Sequence, residues 1–270
     1  MVEIGIDNGI PRFGIRKPGI GLSISERKYM GKGKALTLPT KRGTEVAWKF
    51  SKEILDNEKQ EELFRDIYDL CQKSFCLEDG SEFRKDVRDH IFETHEICIV
   101  PFGDVPEGLS PVCFGTDRLA AFASYNFLSY WKNKDFIYFS GIIVDPSLHR
   151  LNYGSLLVQE VMRSTGIKIA VLRTQNPVMY GSFAKTCKVF PSLDGKRIPG
   201  EIKGIGEYVA RNVLHMPNYD SQEMTEKGTY HRAIYGEEPV HDDPELEKKF
   251  KEKINIKRGD SMIIVGILRE

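Results

Sequence analysis

The sequence FIYFSGIIV-DPSLHRLNYGS-LLVQEVMRST, residues 136–165, decides the fold. Its first nine residues are mostly β-branched or aromatic and predict a strand that ends at Val144. Apolar residues then recur on one face of a predicted helix over 153–164, and Gly166 predicts where that helix ends. Residues 167–173 predict a second, nearly continuous buried strand. Because the connection is short, we expect a right-handed βαβ unit with two parallel strands.

Elements on both sides of this unit mix helices with strands. An apolar stripe predicts an amphipathic helix over 58–76, and Ser81 is the expected N-cap of a second helix. The sequence Gly-Thr-Asp-Arg at 115–118 predicts a hairpin turn. Short apolar alternations in residues 1–52, broken by Gly and Pro, indicate weak strands or an extended arm. The remaining predicted elements are a helix at 81–93, strands at 97–100, 111–114 and 119–127, a helix from Pro177, a strand at 188–190, helices at 201–214 and 244–254, and a strand at 261–268.

The bulk composition excludes several classes of protein. The 270 residues carry 39 Lys or Arg and 39 Asp or Glu, so no net charge draws the whole chain to nucleic acid or to an anionic membrane. Residues 1–52 are nevertheless basic, with 11 Lys or Arg against 4 Asp or Glu. Five cysteines without a CxxC pair indicate reduced, largely buried thiols. With no apolar run of about 20 residues and no charged start before an apolar run, we expect a soluble, cytoplasmic protein without a membrane span.

The loop between the predicted strand and helix has the features of an anion site. The first turn of a helix leaves its N–H groups without partners inside the helix, and this end carries a partial positive charge. A pyrophosphate fits such an end, and Gly154 would let the backbone approach it closely. Asn152 tolerates a left-handed conformation, and His149 and Arg150 add charge or hydrogen bonds at the rim. A plain turn built from Pro, Asn and Gly is the alternative interpretation.

The same loop resembles motif A of the GNAT (GCN5-related N-acetyltransferase) superfamily. In that motif V-x-P leads to Q/R-x-x-G-x-G/A and then to a Leu-Leu helix. Here His149 stands at the Q/R position, Asn152 at the first Gly and Gly154 at the second. The order of elements over about residues 60–193 and the final strand is also similar to that of the superfamily. The resemblance implies an α+β fold with a GNAT-like mixed central sheet flanked by helices.

The resemblance also implies a division of the chain. Residues 1–52 are expected to form a basic, Gly-rich N-terminal extension, and residues 53–193 the acyl-CoA-binding core. Residues 194–270 are expected to form a C-terminal elaboration, an insertion that ends in the last strand of the sheet. The insertion holds tyrosines without a pattern that identifies an acceptor, namely Tyr208, Tyr219, Tyr230 and Tyr235.

The implied ligand is acetyl-CoA or coenzyme A. The implied reaction moves an acetyl group from acetyl-CoA to an amine, on a small molecule or a protein, by direct attack. The resemblance places the pantetheine arm against the backbone of Ile142, Ile143 and Val144. Asn176 matches an asparagine of the superfamily at the end of the following strand. The residues implied at the pyrophosphate are His149, Arg150, Leu151, Asn152, Tyr153, Gly154 and Ser155.

The sequence defines the catalytic groups less well. Many members of the superfamily have a tyrosine seven residues after that asparagine, and this tyrosine protonates the departing thiolate. In this sequence Phe183 stands at that position. Phe183 is still expected among the residues that contact the acyl donor. Tyr180, one helical turn earlier, could supply the phenol, or it could be a half-buried tyrosine that packs on the sheet. Water relays could deprotonate the amine without a single essential base. The side chains that could act as the base are Asp135, Asp145, His90, His95 and Tyr125.

A second hypothesis comes from another class of protein. Gly-Ile-Gly at 204–206 resembles the helix-hairpin-helix motif, in which it begins a DNA-binding helix. On this hypothesis the chain binds nucleic acid through residues 1–52 and 199–214, with the GNAT-like body as a scaffold or acyl-CoA sensor. An ordinary helix start is the favoured interpretation of 204–206. No metal is predicted, because metal-ligand spacing is absent around His215, His231 and His241.

Overall fold

A computed structural model describes residues 33–76, 80–102, 119–130, 134–230 and 233–269. The strand predicted at 111–114, the turn at 115–118 and residues 1–32 of the basic extension lie outside these ranges. Within them, no helix is long and apolar enough to cross a membrane. The same ranges hold no group of three or more His, Cys, Asp or Glu side chains placed to bind a metal ion.

One sheet of nine strands forms the centre of the described structure. The strands are β1 (Lys34–Thr40), β2 (Gly43–Phe50), β3 (Glu96–Pro101), β4 (Leu119–Tyr130), β5 (Lys134–Val144), β6 (Ile169–Thr174), β7 (Cys187–Phe190), β8 (Thr225–Glu226) and β9 (Ser261–Leu268). Their order is β1-β2-β3-β4-β5-β6-β9-β7, and β8 pairs with β9. β5 and β6 are parallel, as the βαβ unit predicted, and the other pairs are antiparallel. The predicted mixed central sheet is therefore confirmed, and β1 and β2 extend it where weak strands were expected.

Helices flank this sheet. They are α1 (Asn57–Phe75), α2 (Ser81–Phe92), α3 (Tyr153–Thr165), α4 (Pro177–Thr186), α5 (Gly200–Tyr208) and α6 (Pro244–Lys253). α1 begins where Asp56 accepts a hydrogen bond from the N–H of Lys59 at 2.9 Å. The predicted cap of α2 is wrong, because the extended residue before the helix is Gly80 and Ser81 is already helical. α3 ends at Gly166 as predicted, with a left-handed φ of 74°.

Side chains alternate between the two faces of the sheet, and each face has its own helices. One face, called face A here, carries Tyr125 and Phe139, which pack with α3 and α4. The opposite face, face B, carries Phe122 under α1 and α2, and Phe136 and Tyr138 beside α5. Because helices cover both faces, a ligand reaches the sheet most easily at the strand ends.

β5 and β6 pair over a short length and then diverge. The paired residues of β5 are 137–139. A bulge then leaves Ser140 out of the β4–β5 register, and bulges bend a strand. Residues 141–144 stay paired with β4 and have no partner on β6. The carboxyl ends of β5 and β6 therefore border an opening, which we call the β5–β6 gap.

The helix predicted at 201–214 is present, but only its first part is α-helix. α5 ends at Tyr208, and five residues of π-helix follow it. Gly204 and Gly206 lie inside α5, so the helix start favoured at this point is wrong. A methyl group on Gly204 would lie 2.5 Å from the hydroxyl oxygen of Tyr130. These glycines let the helix pack closely against neighbouring side chains.

Candidate functional site

The chain leaves β5 through a loop with two left-handed residues. Asp145 turns the loop, since its Oδ1 accepts a hydrogen bond from the N–H of Ser147 at 2.9 Å. Asn152, the N-cap of α3, has φ 67° and ψ 16°, the conformation that it was expected to tolerate. Arg150 has a φ of 70°, which its residue type did not predict. With these turns α3 begins beside the end of β5, near the side chain of Val144.

The first turn of α3 presents unbonded N–H groups. The first helical hydrogen bond runs from the N–H of Leu156 to the carbonyl of Asn152, at 3.0 Å. Within the described residues, the N–H groups of Tyr153, Gly154 and Ser155 have no acceptor. Three amides at the positive end of a helix suit an anion such as phosphate.

Gly154 faces the end of β5 and leaves room there. A methyl group on it would lie 3.9 Å from Ile142 Cγ2 and 4.0 Å from both Ser182 Oγ and Val144 Cγ2. These are ordinary van der Waals distances, so the fold itself tolerates alanine at this position. A long side chain would instead project between β5, α3 and α4, where an anion bound to the α3 amides would also lie.

Cationic side chains surround this helix end. Nζ of Lys185, in α4, donates to Asn152 Oδ1 at 2.8 Å. Nζ of Lys41, in the turn between β1 and β2, donates to the carbonyl oxygen of Arg150 at 3.4 Å. Arg150 pairs with Asp242 at 2.8 Å, and both side chains are exposed. Sequence reasoning missed Lys41 and Lys185, because they come from distant elements and no local spacing marks them.

The side chain of His149 turns back toward the strand. Its Nε2 lies 3.3 Å from the carbonyl oxygen of Val144, which also accepts a hydrogen bond from Ser74 Oγ at 3.0 Å. Ser74 belongs to the last turn of α1, so this bond ties α1 to the end of β5. The N–H of Leu151, expected among the free amides, donates to the carbonyl of Leu148 at 3.2 Å. His149 thus contacts the end of β5, and the Leu151 N–H is bonded within the loop.

Only part of the β5 backbone faces the β5–β6 gap. The N–H of Asp145 donates to the carbonyl of Ala120, next to β4, at 2.9 Å. Because backbone groups alternate along a strand, those of Ile143 also point to β4, and those of Ile142 and Val144 point to the gap. With the Val144 carbonyl engaged, the groups that face the gap are the N–H and carbonyl of Ile142 and the N–H of Val144. An extended ligand can pair with such an edge as an added strand does.

Asn176 and Phe183 have structural contacts of their own. Oδ1 of Asn176 accepts a hydrogen bond from the N–H of Val178 at 2.8 Å and so caps α4. Phe183 is fully buried, and its ring centroid lies 6.3 Å from that of Phe139, edge to face. Phe183, which was expected among the residues at the donor, thus belongs to the core of face A.

The hydroxyl of Tyr180 both donates and accepts a hydrogen bond. It donates to the carbonyl of Pro191 at 3.0 Å and accepts a hydrogen bond from the N–H of Leu193 at 3.3 Å. Burial raises the pKa of Tyr180, and the hydrogen bond from Leu193 opposes this only in part. Tyr180 therefore ties α4 to the residues that follow β7. This agrees with the alternative in which Tyr180 has a packing role and does not supply the catalytic phenol.

Two of the candidate bases lie in the network between β2, β3 and β4. Tyr125 donates to Glu96 at 2.9 Å, and Nζ of Lys49 lies 3.0 Å from the same carboxylate. All three side chains are buried. Nδ1 of His95 accepts a hydrogen bond from the N–H of Phe127 at 3.0 Å. Tyr125 and His95 thus have stabilising contacts inside the sheet.

The other candidate bases differ in how they are held. Asp145 caps the loop after β5, and Asp135 accepts a hydrogen bond from Ser129 Oγ at 2.6 Å, at the opposite end of β5 from the gap. Nδ1 of His90 lies 2.9 Å from the carbonyl of Asp86, one turn earlier in α2. His90 is bonded only within its own helix in the described structure, so its Nε2 is the ring nitrogen left for a ligand or water.

Comparisons with known proteins give distant likenesses in structure only. No family model and no curated protein matches the chain. Among solved structures it is similar to a GCN5-related N-acetyltransferase from Kribbella flavida, with 22% identity and a TM-score of 0.32 over 46% of this chain and 30% of that one. A putative arylalkylamine N-acetyltransferase 7 from the yellow fever mosquito is 9% identical, with a TM-score of 0.43 over 87% of this chain and 95% of that one.

A third similar structure is the ribosomal-protein-S18-alanine N-acetyltransferase from Escherichia coli. It is 12% identical, with a TM-score of 0.38 over 83% of this chain and 96% of that one. By contrast, the chain spans only 30% of the length of the Kribbella protein. At such identities and TM-scores the activities of these proteins do not transfer to this chain, and its function has to be inferred from its own site.

Proposed function

We propose that this chain is an acyl-CoA-dependent N-acyltransferase, an N-acetyltransferase that moves an acetyl group from acetyl-CoA to an amine. The observation that carries the proposal is the position of the α3 N-terminus, whose unbonded amides lie next to the unpaired edge of β5. An anion site beside a free strand edge suits a ligand with a pyrophosphate and an extended arm that contains amide groups. Coenzyme A has both parts.

The described residues fit this ligand part by part. The amides of residues 153–155 would hold the pyrophosphate, and Lys41 and Lys185 would offset its charge. The N–H and carbonyl of Ile142 and the N–H of Val144 would pair with the amides of the pantetheine arm. When bound, the donor supplies a thioester whose carbonyl carbon is open to attack by an amine.

Direct attack by the amine agrees with the state of the cysteines. Burial raises the pKa of Cys98 and of Cys187 to about 12, and it also raises the pKa of Cys71. A thiol with such a pKa is not ionised near pH 7 and is a poor nucleophile. Among the described residues, Cys76 at the end of α1 is the exposed thiol. Transfer within a ternary complex, without an acyl-enzyme, is therefore the proposed route.

The nucleic-acid hypothesis gains no comparable support from the described residues. A helix-hairpin-helix motif needs Gly204 and Gly206 at the start of a helix, whereas both lie inside α5. The basic residues 1–32 lie outside the described ranges. Acyl transfer is therefore the function that we retain.

Titration calorimetry with acetyl-CoA tests the proposal. We expect a single site with a Kd below about 1 mM, the range of ordinary substrate affinities. Added salt should weaken binding, because part of the affinity comes from phosphate charges. Transfer is then followed as the release of coenzyme A thiol in the presence of a panel of amines. The proposal is wrong if acetyl-CoA at millimolar concentration gives no heat of binding.

A further inference from the structure

Polar residues divide the apolar core on face B into two clusters. One cluster holds Phe122 and Ile143 under α1 and α2, and the other holds Phe136 and Tyr138 beside α5. On face A, by contrast, a single cluster continues across the same strands. Polar groups within an apolar layer cost stability unless they have hydrogen-bond partners. The residues between the two clusters, which we call the polar band, are Ser124, Asn126, Ser140, Gly141 and Arg173.

The polar band meets the β5–β6 gap. The last pair in the parallel register joins Phe139 to Leu172, so the next residues, Ser140 and Arg173, lie at one level where the two strands begin to diverge. An arm that pairs with the end of β5, starting from the α3 side, runs toward this level. The thioester of a bound acetyl-CoA would therefore lie next to the polar band.

The space above Gly141 is open. Apart from its chain neighbours, a methyl group on Gly141 would meet only Ser124 Oγ, at 3.3 Å, and Phe122 Cε1, at 3.6 Å, among the described residues. Both atoms belong to β4, so no described atom of α2 or of the C-terminal insertion lies within 4 Å. Methyl groups on Gly236 and Gly204 would instead collide with neighbours at 2.1 Å and 2.5 Å. Gly141 therefore forms a hollow in face B.

Ser124 presents an unbonded hydroxyl beside this hollow. The residue is fully buried, and its Oγ has no hydrogen-bond partner in the part of the chain that the structure describes. Asn126, the next polar residue of β4, does have one, since its Oδ1 accepts a hydrogen bond from the N–H of His95 at 3.0 Å. A buried hydroxyl without a partner is costly. A polar ligand in the hollow over Gly141 would supply the missing bond.

Arg173 supplies a positive charge at the gap. It lies two positions after Val171 in β6 and so shares face B with it. The guanidinium carbon lies 4.7 Å from the ring centroid of Tyr230, and a stacked guanidinium donates its hydrogen bonds in its own plane. Burial opposes the charged form, but the Tyr230 phenol and the carboxylates of Asp86 and Glu226, with other neighbours, outweigh burial and raise the pKa of this side chain. The group therefore stays charged.

Asp86, in α2, supplies a carboxylate oxygen. Val87 and Ile91 pack in the apolar cluster under α2, so this helix forms one wall of the polar band. Oδ1 of Asp86 is buried and accepts no hydrogen bond among the described residues, although His90 Nδ1 lies 3.5 Å away. Arg173 lies close enough to feel the charge of Asp86. The polar band thus combines one cationic group with one acceptor oxygen of opposite charge.

We propose that the polar band binds the acceptor amine and that this acceptor is a free amino acid. The inference rests on the proposed function and names its second substrate. The carboxylate of the amino acid would pair with Arg173 in the plane of the guanidinium. Its ammonium group would be attracted to Asp86, and its main chain would fill the hollow over Gly141. Aromatic and aliphatic amines that have no carboxylate would form no ion pair with Arg173.

Matched acceptors test the inference in the wild type. The protein is incubated with acetyl-CoA and each of the common amino acids or its amide, and the N-acetyl product is measured by mass spectrometry. The amide lacks the negative charge, so we expect at least one amino acid to have a kcat/KM about 30-fold above that of its amide. Equal use of the two, or no acetylation of any amino acid by a protein that binds acetyl-CoA, overturns the inference. If acetyl-CoA does not bind, the proposed function fails as well.

Arg173→Gln removes the positive charge from the polar band. For the preferred amino acid kcat/KM should fall about 100-fold, whereas the value for its amide should stay within about threefold and the Kd of acetyl-CoA within about twofold. Arg163→Gln is the matched control, because Arg163 is exposed and pairs with Glu160 in α3. It should change neither acceptor. Equal losses for amino acid and amide in Arg173→Gln contradict the inference.

Gly141→Ala covers the case in which Arg173→Gln does not fold, as judged by circular dichroism. The methyl group reaches Ser124 Oγ at 3.3 Å and narrows the hollow. The KM for the amino acid should rise about tenfold, with the Kd of acetyl-CoA within about twofold of the wild type. Gly200→Ala is the matched control, since a methyl group on Gly200, at the start of α5, meets no described atom within 4 Å. An unchanged KM in Gly141→Ala overturns the inference.

Discussion

Lys185 donates a hydrogen bond to Asn152, with Nζ 2.8 Å from Oδ1. This bond joins the end of α4 to the residue that begins α3 in a left-handed conformation. It also places an ammonium group beside the unbonded amides of α3. One contact therefore combines a structural role with a positive charge at the candidate anion site.

Replacing Lys185 by methionine should weaken acetyl-CoA binding about tenfold, because a phosphate loses a cationic partner. The salt dependence of Kd should also decrease, and calorimetry at two ionic strengths measures both effects. Lys168→Met is the matched control, since Lys168 is exposed and lies just before the start of β6, away from the gap. Equal weakening by the two variants would indicate a general effect of charge and contradict the assignment of Lys185.

Gly154 allows steric blocking of the site to be separated from damage to the fold. Gly154→Ala should keep acetyl-CoA affinity within about threefold and change the free energy of unfolding by less than about 1 kcal/mol, because the methyl group meets only ordinary contacts. Gly154→Glu should abolish binding, since a carboxylate would occupy the place of the pyrophosphate and repel it. Calorimetry and urea denaturation of the two variants check this. A glutamate variant that folds and binds normally would refute the placement of the phosphates.

The left-handed backbone at Asn152 predicts a difference between two substitutions. Asn152→Val should lower the free energy of unfolding by about 1–2 kcal/mol, because a β-branched residue is strained at a φ of 67°. Asn152→Gly should change it by less than about 0.5 kcal/mol, since glycine adopts this φ freely and only the bond from Lys185 is lost. Urea denaturation measures both. Equal destabilisation by Val and Gly would show that the side-chain contact, and not the backbone, is decisive.

Asp260 predicts how stability depends on pH. Burial alone would raise the pKa of Asp260, but hydrogen bonds from Arg258 and from the N–H groups of Asn255 and Gly228 outweigh it, and the pKa is lowered. A carboxylate with a lower pKa in the folded state stabilises the protein above its unfolded-state pKa of about 3.9. That stabilisation is lost as the pH falls through the folded-state pKa.

Asp260→Asn should therefore lower the free energy of unfolding by about 2 kcal/mol at pH 7, through the loss of charged hydrogen bonds. The difference from the wild type should begin to shrink below about pH 4, where the carboxylate of the unfolded state becomes protonated, and should continue to shrink as the pH falls through the lowered folded-state pKa. Urea denaturation at pH 7, 5 and 3 measures the difference. A constant difference down to pH 3 would mean that the charge of Asp260 contributes nothing.

Those parts of the fold that depend on local sequence were predictable. The strand that ends at Val144, the helix after it and its stop at Gly166 follow from hydrophobic period and from the conformational freedom of glycine. The start of α4 at Pro177 follows from the preference of proline for a first helical turn. The left-handed conformation at Asn152 also follows from residue type, because asparagine tolerates it.

The side chains around the candidate site were not predictable, because packing of distant elements brings them together. Lys41 and Arg150 are 109 positions apart in the sequence, and Lys185 and Asn152 are 33 apart. Gln175 and Ile234, whose N–H donates to Gln175 Oε1 at 3.1 Å, are 59 apart. Spacing along a chain holds no information on such contacts.

The place of β9 in the sheet has a consequence for biosynthesis. β9 lies between β6 and β7, although both of those strands precede it in the chain. During translation the chain emerges from its N-terminal side, so β6 keeps an open edge and β7 has no neighbour until Ser261–Leu268 leaves the ribosome. The carbonyl of Asp260, to which Gln175 donates, is made only just before that strand. The nascent protein therefore exposes these strand edges from the synthesis of β6 and β7 until that of β9, and chaperones that bind such edges can act in this interval.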